Sequence, residues 1–172
     1  MITATAETPP VVRHRAANVV VVAGRWLLGA VFIYMGLNKA LHPVEFLKLV
    51  RQYNVTDHYL LLNLVASALP WFEIFCGLLL VLGIAVRGTA LLLVAMLVPF
   101  TIVIVQRALG IQHARGIPFC AIKFDCGCGA GEVLICRKLL ENTLLIAVAA
   151  SLVFWRQHIA AVRPCLFRAH AA

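Results

Sequence analysis

The stretch GTALLLVAMLVPFTIVIVQ, residues 88–106, carries no charged side chain over its whole length. About 20 residues of α-helix cross a hydrocarbon core of roughly 30 Å. A backbone in lipid must satisfy its own hydrogen bonds, and the chain lacks the ten-residue alternation of a transmembrane β-barrel. This stretch therefore predicts a helix that spans a membrane.

Three further apolar stretches each contain one charged residue, which is Arg25, Glu73 or Glu141. Of the 172 residues, 63% are hydrophobic and 13% are charged, which excludes a water-soluble domain of this size. The sequence predicts an all-α integral membrane protein, a four-helix bundle. The predicted spans cover residues 16–38, 59–86, 88–106 and 139–155.

The rest of the chain divides around these spans. Residues 1–18 form a polar N-terminal tail, 19–156 the membrane domain and 157–172 a basic C-terminal tail. The N-terminal segment is too long for a cleaved signal peptide, so we expect the first span to be retained. The net charge of +8 comes from residues between apolar blocks, where Lys and Arg anchor helices at headgroups, and we expect no nucleic-acid partner.

Two connections have their own patterns. Between the first two spans, Pro43 precedes apolar residues at helical spacing, which predicts a short amphipathic helix. It could rest in the membrane interface or dock a partner. A tight turn around Arg87 is expected to join the second and third spans.

The loop predicted at residues 107–138 contains four cysteines, namely Cys120, Cys126, Cys128 and Cys136. Gly127 separates Cys126 from Cys128, and a disulfide between residues so close needs the bent backbone that glycine permits. The small ring would be strained, and strained disulfides exchange readily. We therefore predict Cys126 and Cys128 as a redox-active pair.

Other uses of these cysteines remain open from the sequence. They could form structural disulfides, with three possible connectivities. The spacing C-x5-C-x-C-x7-C lacks the knuckles of a zinc site and fits iron–sulfur ligation no better, so no metal is predicted. Cysteine-rich loops suit an oxidising compartment, which places this loop in the periplasm and the termini in the cytoplasm.

Several polar residues fall within or at the ends of the spans. Glu73 is predicted near the middle of the second span, with Tyr34 of the first span at a similar depth. Glu73 could form a structural hydrogen bond between helices, or it could take part in a proton or quinone path. Asn38 and Lys39 close the first span, and Glu141 and Asn142 open the fourth. A Lys39–Glu141 contact beneath the cysteines is one expectation. Independent extension of both side chains to the headgroups is the other.

Three motifs, taken in order, resemble the MauE/DoxX-like membrane proteins. Residues 29–39, GAVFIYMGLNK, are similar to the first DoxX helix, and residues 70–83, PWFEIFCGLLLVLG, to the second. Cys126-Gly-Cys128-Gly resembles the Cys-x-Cys-Phe-Gly signature of the MauE branch, which is followed by an asparagine in the next helix, here Asn142. The resemblance extends from residue 24 to about 154. The phenylalanine of the signature is absent here, and Cys120 and Cys136 are additional.

This resemblance implies a bacterial inner-membrane protein whose Cys-x-Cys pair faces the periplasm. The MauE branch is associated with maturation of the small subunit of methylamine dehydrogenase, alongside a thioredoxin-like partner. The resulting hypothesis is a thiol–disulfide redox component, itself an oxidoreductase or an accessory subunit. Cys126 and Cys128 exchange with a thioredoxin-like protein or a disulfide-containing client, and Cys120 and Cys136 form a resolving pair or a staple.

Two rival functions come from other classes. The protein could be a non-catalytic scaffold subunit of a redox complex, with its cysteines in structural disulfides. It could also be a small transporter that uses Glu73 as its coupling group, although no inverted repeat is visible. The sequence demonstrates no quinone site.

Overall fold

The computed structural model describes the backbone of residues 10–53, 58–125 and 131–154, and side chains from residue 19 onwards. These residues are mostly helical, as predicted. The helices are α1 (Pro10–Leu41), α2 (Pro43–Gln52), α3 (Tyr59–Leu82), α4 (Val86–Arg115) and α5 (Ile135–Phe154). A 3-10 turn, Phe119–Ala121, and two short strands, β1 (Lys123–Asp125) and β2 (Glu132–Leu134), lie between α4 and α5.

Three segments in the described residues are long and apolar enough to cross a membrane: Val19–Leu41, Tyr59–Leu82 and Val86–Arg115. Large apolar side chains such as Leu60 and Trp71 are exposed on them, as suits contact with lipid. The predicted fourth span corresponds to α5, which has 20 residues and carries Arg137, Lys138 and Glu141 near its start. α5 is therefore less apolar than the other three segments and is not among those that could cross a membrane by length and composition.

α1 and α3 pack in antiparallel orientation through glycines. A Cβ atom added to Gly77 would lie 2.7 Å from the carbonyl oxygen of Gly29, and one added to Gly36 would lie 2.6 Å from that of Pro70. Only a residue without a side chain allows such close approach of two helix backbones, as in other membrane helix pairs. The glycines thereby fix the register of α1 against α3.

α4 and α5 form a second close pair. Asn142 is fully buried and donates its Nδ2 hydrogen to Thr101 Oγ1 at 3.1 Å. At the other end, Arg87 Nε donates to the carbonyl oxygen of Val153 at 2.9 Å and so caps the last turn of α5. One buried apolar cluster joins the two pairs, and its members include Leu28, Phe32, Leu80, Leu93 and Leu152.

The connections differ in part from the sequence prediction. The amphipathic helix is confirmed as α2, with Pro43 in its first turn. The second span was predicted to reach residue 86, but α3 ends at Leu82 because Gly83 adopts a left-handed conformation (φ 76°). Val86 already belongs to α4, so the predicted turn around Arg87 is wrong. α4 continues to Arg115, beyond the predicted end at residue 106, and the left-handed Gly116 follows it.

Substitution of Gly77 by alanine is expected to lower the free energy of unfolding by about 1–3 kcal/mol, because the new methyl group must push α1 and α3 apart. Gly88→Ala is the matched control, since nothing lies within 4 Å of a Cβ atom there. Thermal unfolding in detergent measures both variants. Equal melting temperatures for the two would contradict this packing.

Candidate functional site

The cysteine loop folds back onto the helices as a small β-hairpin. Strands β1 and β2 are antiparallel, with Phe124 opposite Val133 and Asp125 opposite Glu132. At the base of the hairpin, Ile135 donates its backbone N–H to the carbonyl oxygen of Ile122 at 3.1 Å. The hairpin is therefore hydrogen-bonded from its base upward.

A disulfide crosses this same base. Cys120, in the 3-10 turn before β1, is bonded to Cys136, the second residue of α5, and their Cα atoms are 5.1 Å apart. Cys120 and Cys136 are thus paired with each other, as both of their predicted roles require. The bond joins the segment that enters the hairpin to the helix that leaves it.

Apolar contacts seat the hairpin on the helices. Ile122 and Ile135 are fully buried, and they belong to one cluster with Met35 of α1 and with Ile104 and Ala108 of α4. The base of the hairpin is therefore fixed relative to α1 and α4 by packing, and to α5 by the disulfide.

Cys126 and Cys128 lie outside the described residues, in the segment of chain that connects Asp125 to Glu132. Their predicted exchange activity remains a prediction. In the part of the chain that the structure describes, no three His, Cys, Asp or Glu side chains form a group that could hold a metal ion. Among the described cysteines, Cys76 is the free one, and it is buried in α3.

A buried ion pair joins α1 to α3 on the side of the hairpin. Lys39 Nζ lies 2.5 Å from Glu73 Oε1, and each side chain is 4% exposed. The ammonium group also lies 5.4 Å from the ring centre of Phe46 in α2, a cation–π contact. Within the described residues Glu73 Oε2 is buried with no hydrogen-bond partner. One pair of side chains thus connects three helices.

The partners of the polar residues differ from those expected. Lys39 pairs with Glu73 rather than with Glu141, which instead contacts Arg137 at 3.0 Å and Lys138 at 3.6 Å. Tyr34 is 62% exposed. Glu73 is engaged with Lys39 while Tyr34 faces outward, so the structure does not bring Tyr34 and Glu73 together, and a proton or quinone path through them stays a prediction.

Lys39 reaches Glu73 because α1 and α3 are offset along their axes. Gly36 lies against Pro70 and Glu73, so five residues of α1 follow this level. Eleven residues of α3, about 16 Å, precede Pro70 on the same side. Glu73 is therefore central in its own helix but close to the end of α1, where Lys39 can reach it. A signal was present in the sequence, since Gly36 and Lys39 share one helix face and Pro70 and Glu73 another.

The remaining polar residues include Asn38, which was predicted at the end of the first span, and others that the sequence did not single out. Asn38 is half-buried, and its carbonyl oxygen accepts the backbone N–H of His42 at 3.1 Å, which links the end of α1 to α2. Arg25, the one charged residue of the first predicted span, and Lys138, in the first turns of α5, are both buried. Thr101, the partner of Asn142, was also missed because a lone threonine in an apolar stretch carries no pattern.

A model of the family described as methylamine utilisation protein MauE matches residues 17–156. The chain belongs to the MauE family. The match covers most of α1 and all of α2 to α5, including the hairpin and both buried polar contacts. MauE membership and the three apolar helices agree on a membrane protein. No curated protein and no solved structure matches the chain significantly.

The ion pair of this MauE-family protein predicts strong coupling between Lys39 and Glu73. Glu73→Ala leaves a buried ammonium without its counterion and is expected to cost about 3–5 kcal/mol of unfolding free energy. The double variant Lys39→Met/Glu73→Leu leaves no charge at this contact and should cost clearly less than the sum of Lys39→Met and Glu73→Leu. Unfolding titrations in detergent give the coupling. Additive single effects would contradict an interaction between the two groups in the folded protein.

Proposed function

We propose that this MauE-family protein is an inner-membrane thiol–disulfide redox component that supports disulfide maturation of periplasmic proteins. The observation that carries this proposal is the hairpin. It is anchored by the Cys120–Cys136 disulfide and by buried Ile122 and Ile135, and its two strands flank the segment that contains Cys126 and Cys128. An anchored base with a Cys-x-Cys segment beyond it suits exchange with a second protein.

The exchange itself is a two-electron transfer. A thiolate of a reduced client attacks one sulfur of a Cys126–Cys128 disulfide, which gives a mixed disulfide and releases the other cysteine as a thiolate. The second client thiolate then attacks the client sulfur of that mixed disulfide. The client leaves oxidised, Cys126 and Cys128 hold the two electrons, and the client's two thiol protons pass to solvent or to the new thiols. A thioredoxin-like protein in its disulfide form would reoxidise the pair by the reverse steps.

The proposed topology is a four-helix bundle with α5 as the fourth span. α5 runs beside α4 over most of its length, as the Thr101–Asn142 and Arg87–Val153 hydrogen bonds show. Its charged residues cluster in the first two turns, where Glu141 pairs with Arg137 and Lys138. Those turns would lie at the periplasmic headgroups, next to the hairpin, and the termini would be cytoplasmic.

A family description names methylamine utilisation, so the small subunit of methylamine dehydrogenase is the client that we propose first. A non-catalytic scaffold is the second candidate, because the Cys120–Cys136 bond has the position of a structural staple between the 3-10 turn and α5. The two candidates differ in whether Cys126 and Cys128 change their redox state.

Single substitutions of Cys126 and Cys128 by serine test the exchange. One of the two variants is expected to accumulate a reducible mixed disulfide with the thioredoxin-like protein, because its remaining thiolate still attacks that protein's disulfide but the second cysteine that resolves the intermediate is absent. Both variants should lower client oxidation, since neither can form the Cys126–Cys128 disulfide. Gels of acid-quenched cells, run with and without reductant, reveal the adduct. Cys76→Ser is the matched control, since that thiol is buried in α3. Absence of any adduct together with normal client oxidation would favour the scaffold.

A further inference from the structure

A cleft of about 410 Å³ lies at the hairpin-side end of α4, between that helix and Tyr53. Arg107, Ile111 and Arg115 line it at intervals of four residues, so they share one face of the helix. Gly110 also lines the cleft, and a Cβ atom there would meet nothing within 4 Å. The face therefore offers open space flanked by two guanidinium groups.

The position of the cleft along α4 relates it to the membrane surface. Arg107 is the first charged residue after the uncharged stretch 88–106, and Val103, within that stretch, lines the inner end of the cleft. Arg115 is the last residue of α4, about 12 Å further along the helix axis. The cleft thus begins where the apolar surface ends, at the depth of lipid headgroups.

Tyr53 gives the cleft a hydrogen-bond donor. Its phenol oxygen is buried and has no hydrogen-bond partner among the residues that the structure describes. Burial, reinforced by the nearby Asp125 carboxylate and opposed by Arg107, raises the pKa of Tyr53 to about 12. The phenol therefore keeps its proton at neutral pH. A buried donor without an acceptor is unfavourable, and a ligand oxygen in the cleft would satisfy it.

We propose that this cleft binds the phosphate group of an anionic phospholipid, with Arg107 and Arg115 against the phosphate oxygens and Tyr53 donating a hydrogen bond. Arginine suits phosphate because its planar guanidinium presents several donors at once. The described lining residues include two cations and no acid, which favours a lipid with net negative charge. On the same helix face, further into the uncharged stretch, Pro99 and Leu92 are exposed and offer an apolar surface for the acyl chains.

The cleft also lies beside the hairpin. Tyr53 belongs to the apolar cluster that holds Phe124 of β1 and the two buried isoleucines of the hairpin base. A lipid bound there would brace the base of the hairpin from the membrane side. This inference is independent of the exchange chemistry of the cysteines.

Titration of the purified full-length protein in a neutral detergent tests the proposal, with the thermal unfolding midpoint as the readout. Dioctanoyl phosphatidylglycerol is expected to raise the midpoint in a saturable manner. Arg107→Gln/Arg115→Gln should weaken its apparent affinity about tenfold, and Tyr53→Phe a few-fold. Arg51→Gln is the matched control, because this exposed arginine of α2 is not part of the cleft lining, and it should bind like the wild type.

Two further ligands distinguish the source of the phosphate. Dioctanoyl phosphatidylcholine and inorganic phosphate, at equal concentration, should leave the midpoint nearly unchanged. A response to inorganic phosphate as strong as that to the lipid would overturn the lipid assignment. Unchanged phosphatidylglycerol affinity in Arg107→Gln/Arg115→Gln would overturn the proposed site. If that double variant does not fold, unchanged phosphatidylglycerol affinity in Tyr53→Phe would overturn it instead.

Discussion

The covalent bond between Cys120 and Cys136 is the constraint on which the cysteine loop depends. Nineteen residues separate α4 from α5, and a connection of that length has many conformations without a cross-link. The disulfide closes the loop at the start of α5, and Ile122 and Ile135 seat the closed base on α1 and α4. The short strands between Cys120 and Cys136 can then pair, although a two-stranded hairpin alone is only marginally stable in water.

Beneath the hairpin, polar contacts join the helices to one another. Lys39 and Glu73, both buried, hold α1 to α3, and buried Asn142 holds α5 to α4 through the partly buried Thr101. Apolar packing provides little force between helices when lipid is the alternative, so close glycine contacts and buried polar pairs gain importance. These contacts hold the helices beneath the hairpin in a fixed arrangement. The proposed exchange with a second protein requires such a fixed base.

The sequence predicted the parts of this structure that depend on local pattern. Uncharged stretches predict membrane helices because lipid imposes length and polarity, and Pro43 with its apolar spacing predicted α2. Neither alternative considered for Lys39 included its partner Glu73, because that contact depends on the offset that Gly29, Gly36 and Gly77 impose on α1 and α3. The hairpin was missed as well, since strands of three residues have too little alternation to be recognised. The cleft at Tyr53 exists because α4 extends past residue 106. The sequence did not predict this extension, because the charged Arg107 indicates the end of a span.

The proposed function requires that Cys126 and Cys128 form an exchangeable disulfide on the outer side of the membrane. Thiol labelling of intact cells with a membrane-impermeant maleimide, before and after mild reduction, tests it most directly. Variants that retain only Cys126 and Cys128 among the loop cysteines, or only Cys120 and Cys136, assign the signal. We expect no labelling of Cys126 and Cys128 before reduction and full labelling afterwards, without permeabilisation. Labelling that requires permeabilised membranes, or a pair that stays unlabelled after reduction, would contradict it.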